Sequence, residues 1–188
     1  MRSDFKSATA LSVTAGDSSA VQDLHWLEKN IPCQAACPAG TDIPGYLEAI
    51  YHGRFAEAYA INLRDNVFPA VLGRVCSRPG EDACRHGWPG NGESVAICFS
   101  KRSAADFGHS ASVVLKPNGA ATGKTVAVVG AGVAGLAVAR DRALAGHRVT
   151  VFETPATPGG MLTRGIPAFR LPRAAVQRRA GAGEHPAG

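Results

Sequence analysis

Five cysteines are the residues of this chain best suited to carrying chemistry. Four of them fall into two groups, Cys33-x3-Cys37 and Cys76-x7-Cys84, while Cys98 stands apart in an apolar run. Thiolates are soft ligands, and grouped cysteines in a reducing compartment indicate iron–sulfur or metal binding rather than disulfides. The spacing lacks the paired C-x2-C of a zinc ribbon, so we favour iron over zinc for the four grouped cysteines. Inert packing is the alternative, and it is our expectation for Cys98.

A glycine-rich turn is the second chemical feature. Gly130, Gly132 and Gly135 form G-x-G-x-x-G between an apolar strand and a helix. The first glycine permits a tight turn, the second lets a pyrophosphate approach the backbone, and the third lets the helix pack on the strand. Glu153 ends the next strand, where it can accept hydrogen bonds from a ribose diol. The pattern predicts a dinucleotide site.

A second glycine pair follows soon after this acidic residue. The residues are Gly159 and Gly160, followed by Met161 and Leu162. We expect this segment to fold over a long dinucleotide and to contribute to its binding. This arrangement favours FAD over NAD.

Charge and hydropathy limit the classes of function. The chain has 188 residues and a net charge of +5. The excess of arginine lies after residue 163, so the basic character belongs to the tail and disfavours nucleic acid as a partner. The sequence has no apolar run long enough to cross a bilayer and no signal-peptide layout, so we expect no membrane partner and a cytoplasmic protein.

These residues need elements to position them, and the chain divides accordingly. We predict a flexible leader at 1–24, a helical cysteine domain at 25–108, a linker at 109–123, a partial FAD-binding nucleotide fold at 124–178 and a disordered tail at 179–188. The strand–helix–strand order after the linker is a βαβ unit. The fold class is therefore α + α/β, a small all-helical domain followed by an incomplete Rossmann-like unit.

Four helices are predicted in the cysteine domain, joined by long Gly/Pro turns. The first opens at Asp42, a capping residue, with Pro44 in its first turn, and stops at Gly53. The others are expected at about 54–65, 81–86 and 95–107.

In combination these motifs resemble a known family. The chain is similar to the small (β) subunit of NADPH-dependent glutamate synthase and to the N-terminal part of dihydropyrimidine dehydrogenase. The matching segments are CQAACPAGTDIPGYLEAIYHGRFAEAYAINLRDNVFP (33–69), GRVCSRPGEDACRHG (73–87), KTVAVVGAGVAGLAVAR (124–140) and PGGMLTRGIPAFRLP (158–172). The resemblance implies two [4Fe–4S] clusters in the helical domain, then an FAD domain, then an NADPH domain that belongs to a full-length relative. Electrons would pass from NADPH to FAD and through the clusters to a partner oxidoreductase subunit or an electron acceptor protein.

The resemblance also implies a ligand set, from which this chain departs. Cys33 and Cys84 would serve one cluster, and Cys37 and Cys76 the other. The family usually has two further cysteines upstream of Cys33, and this chain has none there. Gly80 stands at the middle position of the family's C-x3-C-x3-C. The ligand set is incomplete, which leaves open one cluster in place of two, or a rearranged ligation that uses Cys98.

Few residues follow the glycine turn. They provide one βαβ unit and the second glycine loop, without the remaining strands of a doubly wound sheet. We therefore expect a truncated or frame-shifted product. Three alternatives to an electron-transfer segment stay open: a non-catalytic partner-binding module, a zinc-binding helical module and an inactive fragment.

Overall fold

The computed structural model describes residues 12–13, 23–108 and 113–177. The N-terminal part contains helices α1 (Leu24–Asn30), α2 (Pro32–Ala35), α3 (Ile43–Tyr51), α4 (Phe55–Asp65), α5 (Pro69–Val75), α6 (Pro79–Asp82) and α7 (Ile97–Gly108), with a 3-10 turn at Arg85–Gly87. The remaining elements are strands β1 (Ser12–Val13), β2 (Val114–Leu115), β3 (Thr125–Val129) and β4 (Arg148–Phe152), and helices α8 (Val133–Leu144), α9 (Met161–Arg164) and α10 (Arg173–Gln177). Among all the described residues, no helix has the length and apolar character needed to cross a membrane.

Helices α3, α4 and α7 form the centre of the helical domain. Asp42 caps α3, because its Oδ1 accepts a hydrogen bond from the Gly45 N–H at 2.9 Å. After this helix Gly53 turns the chain with φ +71°, a conformation that suits glycine. Apolar side chains from the three helices then bury one another, with Tyr46 and Ile97 among them. The predicted helices at 42–53 and 54–65 are confirmed.

The prediction of only four helices is wrong. Helices α1, α2 and α5 were not foreseen, the helix expected at 81–86 is the short α6 followed by the 3-10 turn, and α7 begins at Ile97. Three of these short helices, α2, α5 and α6, carry proline at their first position. Proline suits that position because its missing N–H would have no partner in the helix. The segments interpreted as Gly/Pro turns are therefore largely helix starts.

The predicted βαβ unit is present. Strands β3 and β4 pair in parallel from Thr125↔Arg148 to Val129↔Phe152, with α8 connecting them. No residue of α8 is buried, and Val129 and Phe152 are 89% and 57% exposed. Within the described residues, the βαβ unit therefore buries few of its own apolar side chains.

A second, smaller pair of strands lies where a leader and a linker were expected. Strand β1 pairs in parallel with β2, with Ser12 opposite Val114 and Val13 opposite Leu115. These four residues are regular structure instead of flexible connection. Most of the expected leader, part of the linker and the expected tail lie outside the described residues.

The two predicted domains share one hydrophobic core. Leu162, Leu171 and Val176, from the segment after β4, pack in one cluster with Leu63 of α4 and Val71 of α5. A polar contact joins the same two parts. Arg140 of α8 donates from Nη2 to the carbonyl oxygens at the end of α4, Leu63 O and Arg64 O, the latter at 3.1 Å. The glycine turn and the cysteine domain are therefore held against each other by packing and hydrogen bonding.

Candidate cofactor sites

All five cysteines are free thiols. Cys33 lies on α2, Cys37 follows it, Cys76 ends α5, Cys84 lies between α6 and the 3-10 turn, and Cys98 is in the first turn of α7. The thiols of Cys33 and Cys84 interact electrostatically. Burial raises the pKa of the Cys33 thiol, and the neighbouring Cys84 adds to that increase. The side chain of Cys84 also accepts a hydrogen bond from Val95 N–H at 3.5 Å.

Cys98 has a thiol neighbour that the sequence analysis did not foresee. The residue is 5% exposed, as expected for core packing, and its thiol interacts electrostatically with that of Cys76. Burial raises the pKa of Cys98 to about 12, and Cys76 contributes to the increase. Its backbone N–H donates to Glu81 Oε1 at 2.7 Å. No sequence signal marks this pair, because packing of α5 on α7 brings together cysteines distant in the chain.

Cys37 lies in a more polar environment. Burial by itself would raise the pKa of its thiol, but hydrogen bonds from the side chain and backbone of Thr41 outweigh that effect and bring the pKa below its ordinary value. The cation of Lys101, on α7, acts in the same direction on Cys37 and on Cys98. Lys101 is only 5% exposed. A largely buried lysine side chain therefore acts electrostatically on two thiols.

The number and arrangement of the thiols limit what they can bind. A [4Fe–4S] cluster held only by cysteine takes four thiolates, so five cysteines cannot complete two such clusters. Among the described residues no three side chains of Cys, His, Asp or Glu converge on a position suited to one metal ion. This arrangement does not fit a mononuclear zinc site. The number of thiols is sufficient for one cluster.

The glycine turn is shaped to receive a phosphate. Gly130 has φ +99°, which a residue with a side chain rarely adopts. A Cβ on Gly135 would collide with the carbonyl oxygen of Gly130, so this glycine allows α8 to approach β3. At Gly132 an added Cβ would meet no atom within 4 Å, and no side chain caps the start of α8. The first N–H groups of this helix therefore have no capping side chain, which is the arrangement expected where a helix start binds a phosphate.

The second glycine pair lies against this turn. Gly159 N–H donates to the carbonyl oxygen of Ala131 at 2.7 Å. A Cβ on Gly160 would lie 3.0 Å from the Cα of Gly132, so the two turns approach backbone to backbone. The structure thus brings together the two glycine motifs predicted to act on one ligand. Met161 is 71% exposed, whereas the side chain of Leu162 is buried in the shared core.

Glu153 contacts the glycine turn directly. Its Oε2 accepts a hydrogen bond from Ala131 N–H at 2.8 Å, and its Oε1 accepts one from Thr154 N–H at 2.9 Å. The carboxylate therefore orients the turn from the end of β4. Its contact with a ribose stays a prediction.

The cysteine-containing part and the glycine-turn part of the chain each match a known protein family. Residues 27–113 match the family described as dihydropyrimidine dehydrogenase domain II, 4Fe-4S cluster. Residues 128–175 match the NAD(P)-binding Rossmann-like domain family. The order of the two matches is the order predicted from the motifs.

Three curated relatives illustrate the similarity. The β subunit of NADPH-Fe(3+) oxidoreductase from Geobacter sulfurreducens is 46% identical over 154 residues, which is 78% of this chain and 22% of that protein. The β subunit of NADP(+)-dependent formate dehydrogenase from Moorella thermoacetica is 40% identical over 164 residues, covering 76% of this chain and 23% of the relative. The small chain of glutamate synthase [NADPH] from Bacillus subtilis is 39% identical over 146 residues, or 77% and 29% of the two chains. This chain thus spans between a fifth and a third of the length of these relatives, and the resemblance stated from the motifs is confirmed.

Proposed function

We propose, from the premise that this chain carries a 4Fe-4S domain of the dihydropyrimidine dehydrogenase domain II family followed by a Rossmann-like segment, that it is part of an NAD(P)H-dependent oxidoreductase. In this proposal the glycine turns bind FAD, and electrons pass between FAD and a [4Fe–4S] cluster in the helical domain. The NADPH site lies in a domain found in full-length relatives.

The observation that carries the proposal is the contact between the two glycine turns. Gly132 and Gly160 approach each other beside the open start of α8. The N–H groups of α8 would bind the pyrophosphate, and the carboxylate of Glu153 would orient the adjacent ribose. FAD, when bound, supplies two-electron exchange with a nicotinamide and one-electron exchange with a cluster. The protein holds the phosphates and fixes the position of the turn relative to the thiols.

The shared core supports electron transfer between the two parts. Leu171 and Val176 pack against Leu63 and Val71, and Arg140 bonds to the end of α4. A flavin on the glycine turn and a cluster among the thiols would therefore keep a constant separation. Such a constant separation suits electron transfer within one molecule.

The partner is proposed to be a second oxidoreductase subunit or an electron acceptor protein. The relatives are named as β subunits and as a small chain, which indicates assembly with other subunits. The free thiols of all five cysteines are consistent with a reducing compartment such as the cytoplasm.

A substitution at Gly132 tests FAD binding without disturbing the protein. Gly132 has an extended backbone with φ −76°, and an added Cβ meets nothing, so Gly132→Val should leave the melting temperature unchanged. The new side chain should occupy the pyrophosphate space and lower FAD affinity by about tenfold or more, the effect of about 1.4 kcal/mol. The measurement is FAD retained by the full chain after gel filtration, with a fluorescence titration.

The matched control is Gly119→Val, which also adds a side chain in open, exposed space but lies away from the turn. It should bind FAD as the unaltered chain does. The proposal fails if the unaltered chain retains no FAD, or if Gly132→Val binds FAD as tightly as the control.

A further inference from the structure

Two buried polar side chains lie where α3 begins and α4 ends. Thr41, directly before the capping residue of α3, is 0% exposed, and Asn66, directly after α4, is 2% exposed. Asn66 Nδ2 donates a hydrogen bond to Thr41 Oγ1 at 2.8 Å. Polar groups are costly to bury unless they are hydrogen-bonded, so the partners of this pair indicate what it is for.

The direction of this hydrogen bond is fixed by a second contact. Asn66 Nδ2 also donates to the backbone carbonyl oxygen of Asn62 at 3.2 Å, and a carbonyl oxygen can only accept. The same nitrogen is therefore the donor to Thr41, whose oxygen accepts with one lone pair. The single hydroxyl proton of Thr41 stays available for another acceptor.

Among the contacts of the described residues, the sulfur of Cys37 is the acceptor left for that proton. Sγ of Cys37 lies 3.5 Å from Oγ1 of Thr41 and forms a hydrogen bond with it. The loop between the two residues is held in shape by Gly40, whose N–H donates to the carbonyl oxygen of Cys37 at 2.8 Å and whose φ of +59° suits glycine. Hydrogen bonds thus connect the end of α4, through Asn66 and Thr41, to one of the candidate cluster ligands.

We propose that Thr41 and Asn66 are positioning residues for an iron–sulfur ligand: Asn66 orients the Thr41 hydroxyl, which donates a hydrogen bond to Sγ of Cys37. The inference rests on the proposed function, because it takes Cys37 as one ligand of the cluster proposed there. A thiol loses its proton when its sulfur binds iron, so a ligating sulfur can only accept hydrogen bonds. The donor that Cys37 then needs is already in place.

This hydrogen bond should act on the reduction potential of the cluster. Hydrogen bonds to the sulfurs help set that potential, and they stabilise the reduced cluster more because reduction adds negative charge. Thr41 and Asn66 are shielded from water, which strengthens the electrostatic effect of the bond. The pair should therefore raise the midpoint potential without changing the number of ligands.

The first test replaces Thr41 in the full chain after anaerobic reconstitution with ferrous iron and sulfide. Thr41→Val exchanges the hydroxyl for a methyl group, so the iron and sulfide content should stay unchanged. The ratio of reduced to oxidised cluster at a fixed potential should fall by about threefold, the size of effect expected for one hydrogen bond. Thr41→Ser keeps the hydroxyl and should keep the potential of the unaltered chain.

The matched control is Thr150→Val, which makes the same replacement at an exposed position of β4 and should leave the potential unchanged. An unchanged or raised midpoint potential in Thr41→Val would overturn the inference while leaving the proposed function intact. Equal lowering of the potential in Thr41→Ser and Thr41→Val would overturn it as well, because the hydroxyl would then not be the group responsible.

The second test asks whether Asn66 acts through Thr41. Asn66→Leu removes the donor that orients the hydroxyl, so it should lower the midpoint potential in the same direction as Thr41→Val and by less. The double variant should have the potential of Thr41→Val alone, because a residue that acts only through the hydroxyl has no effect once the hydroxyl is absent. Shifts that add in the double variant would overturn the role of Asn66.

A third measurement needs no substitution, which guards against a variant that fails to fold. Cys37 is a half-buried free thiol, and its alkylation by iodoacetamide can be followed by mass spectrometry. Loading the unaltered chain with iron and sulfide should protect Cys37, and equal reactivity before and after loading would overturn the inference, since Thr41 would then face no ligand. If the unaltered chain binds FAD but takes up no iron or sulfide, the inference fails together with the cluster half of the proposed function.

Discussion

At the scale of single residues, Glu153 has one observed role and one proposed role, and experiment can separate them. Its two carboxylate oxygens hold Ala131 N–H and Thr154 N–H, so it supports the glycine turn before any ligand binds. The proposed ribose contact would add to these bonds. The side-chain amide of Gln has one acceptor oxygen and no charge. Replacing Glu153 with Gln should therefore weaken both its support of the glycine turn and its proposed contact with the ribose.

We predict that Glu153→Gln lowers the free energy of unfolding by about 1 kcal/mol and weakens FAD binding by about tenfold. Thermal unfolding and FAD titration measure the two effects. The control is Glu93→Gln, an exposed carboxylate, which should change neither. A loss of stability without loss of FAD affinity would limit Glu153 to a structural role.

Individual residues also show where prediction from sequence reaches its limit. The roles of Gly130, Gly132 and Gly135 follow from the local chain, because a strand, a turn and a helix are adjacent in sequence. The electrostatic interaction between Cys76 and Cys98 depends on packing of α5 against α7 and leaves no local pattern. Because Cys98 lies apart from the other cysteines in the sequence, no local pattern connects it with them.

At the scale of elements, the pairing of α5 with α7 positions the thiols. Arg74 on α5 donates from Nη2 to both carboxylate oxygens of Asp106 on α7, at 2.9 and 2.8 Å. The side chain of Arg74 is 9% exposed, so this bidentate pair is well shielded from water. Cys76 follows α5 directly, two positions after Arg74, and Cys98 lies in the first turn of α7, at the opposite end of that helix from Asp106.

We predict that Arg74→Met lowers the free energy of unfolding by about 2 kcal/mol, because it leaves Asp106 without its bidentate partner. Arg54→Met is the control, since the Arg54–Glu57 pair is exposed and should contribute at most about 0.5 kcal/mol. Urea unfolding followed by circular dichroism compares them. Equal losses of unfolding free energy in Arg74→Met and Arg54→Met would show that burial does not make the Arg74–Asp106 pair more important for stability.

The short proline-initiated helices show the limit of prediction at this scale. The segments around Pro32, Pro69 and Pro79 were interpreted as Gly/Pro turns, whereas α2, α5 and α6 begin with these prolines. Each is only four to seven residues long, so periodicity had little to detect. The longer helices α3 and α4 carry a cap or an apolar face and were predicted correctly.

At the scale of the whole molecule, the shared core joins two parts that the sequence divides. Leu171 is fully buried, although it lies in a segment rich in glycine and proline. Its partners come from α4 and α5, more than a hundred positions earlier in the chain in the case of Leu63. Periodicity within residues 158–177 could not reveal such contacts, so the two parts were predicted as separate domains.

We predict that Leu171→Ala lowers the melting temperature of both parts together, with a loss of about 2–5 kcal/mol. Hydrogen exchange should report loss of protection in α4 and α5 as well as in α10. The exposed Leu24→Ala is the control and should change little. Loss of protection confined to residues after β4 would show that the two parts unfold independently.

The contact between Arg140 and the end of α4 has a consequence for synthesis of the chain. Arg140 bonds to carbonyls 77 and 76 residues earlier, and Leu171 and Val176 fill a core lined by α4 and α5. The ribosome releases the helical half first, with the last carbonyls of α4 unbonded and part of its apolar surface uncovered. The helical half reaches its final packing only when residues near 176 have emerged from the ribosome. The cysteine domain therefore completes its folding only after the nucleotide-binding segment has been synthesised.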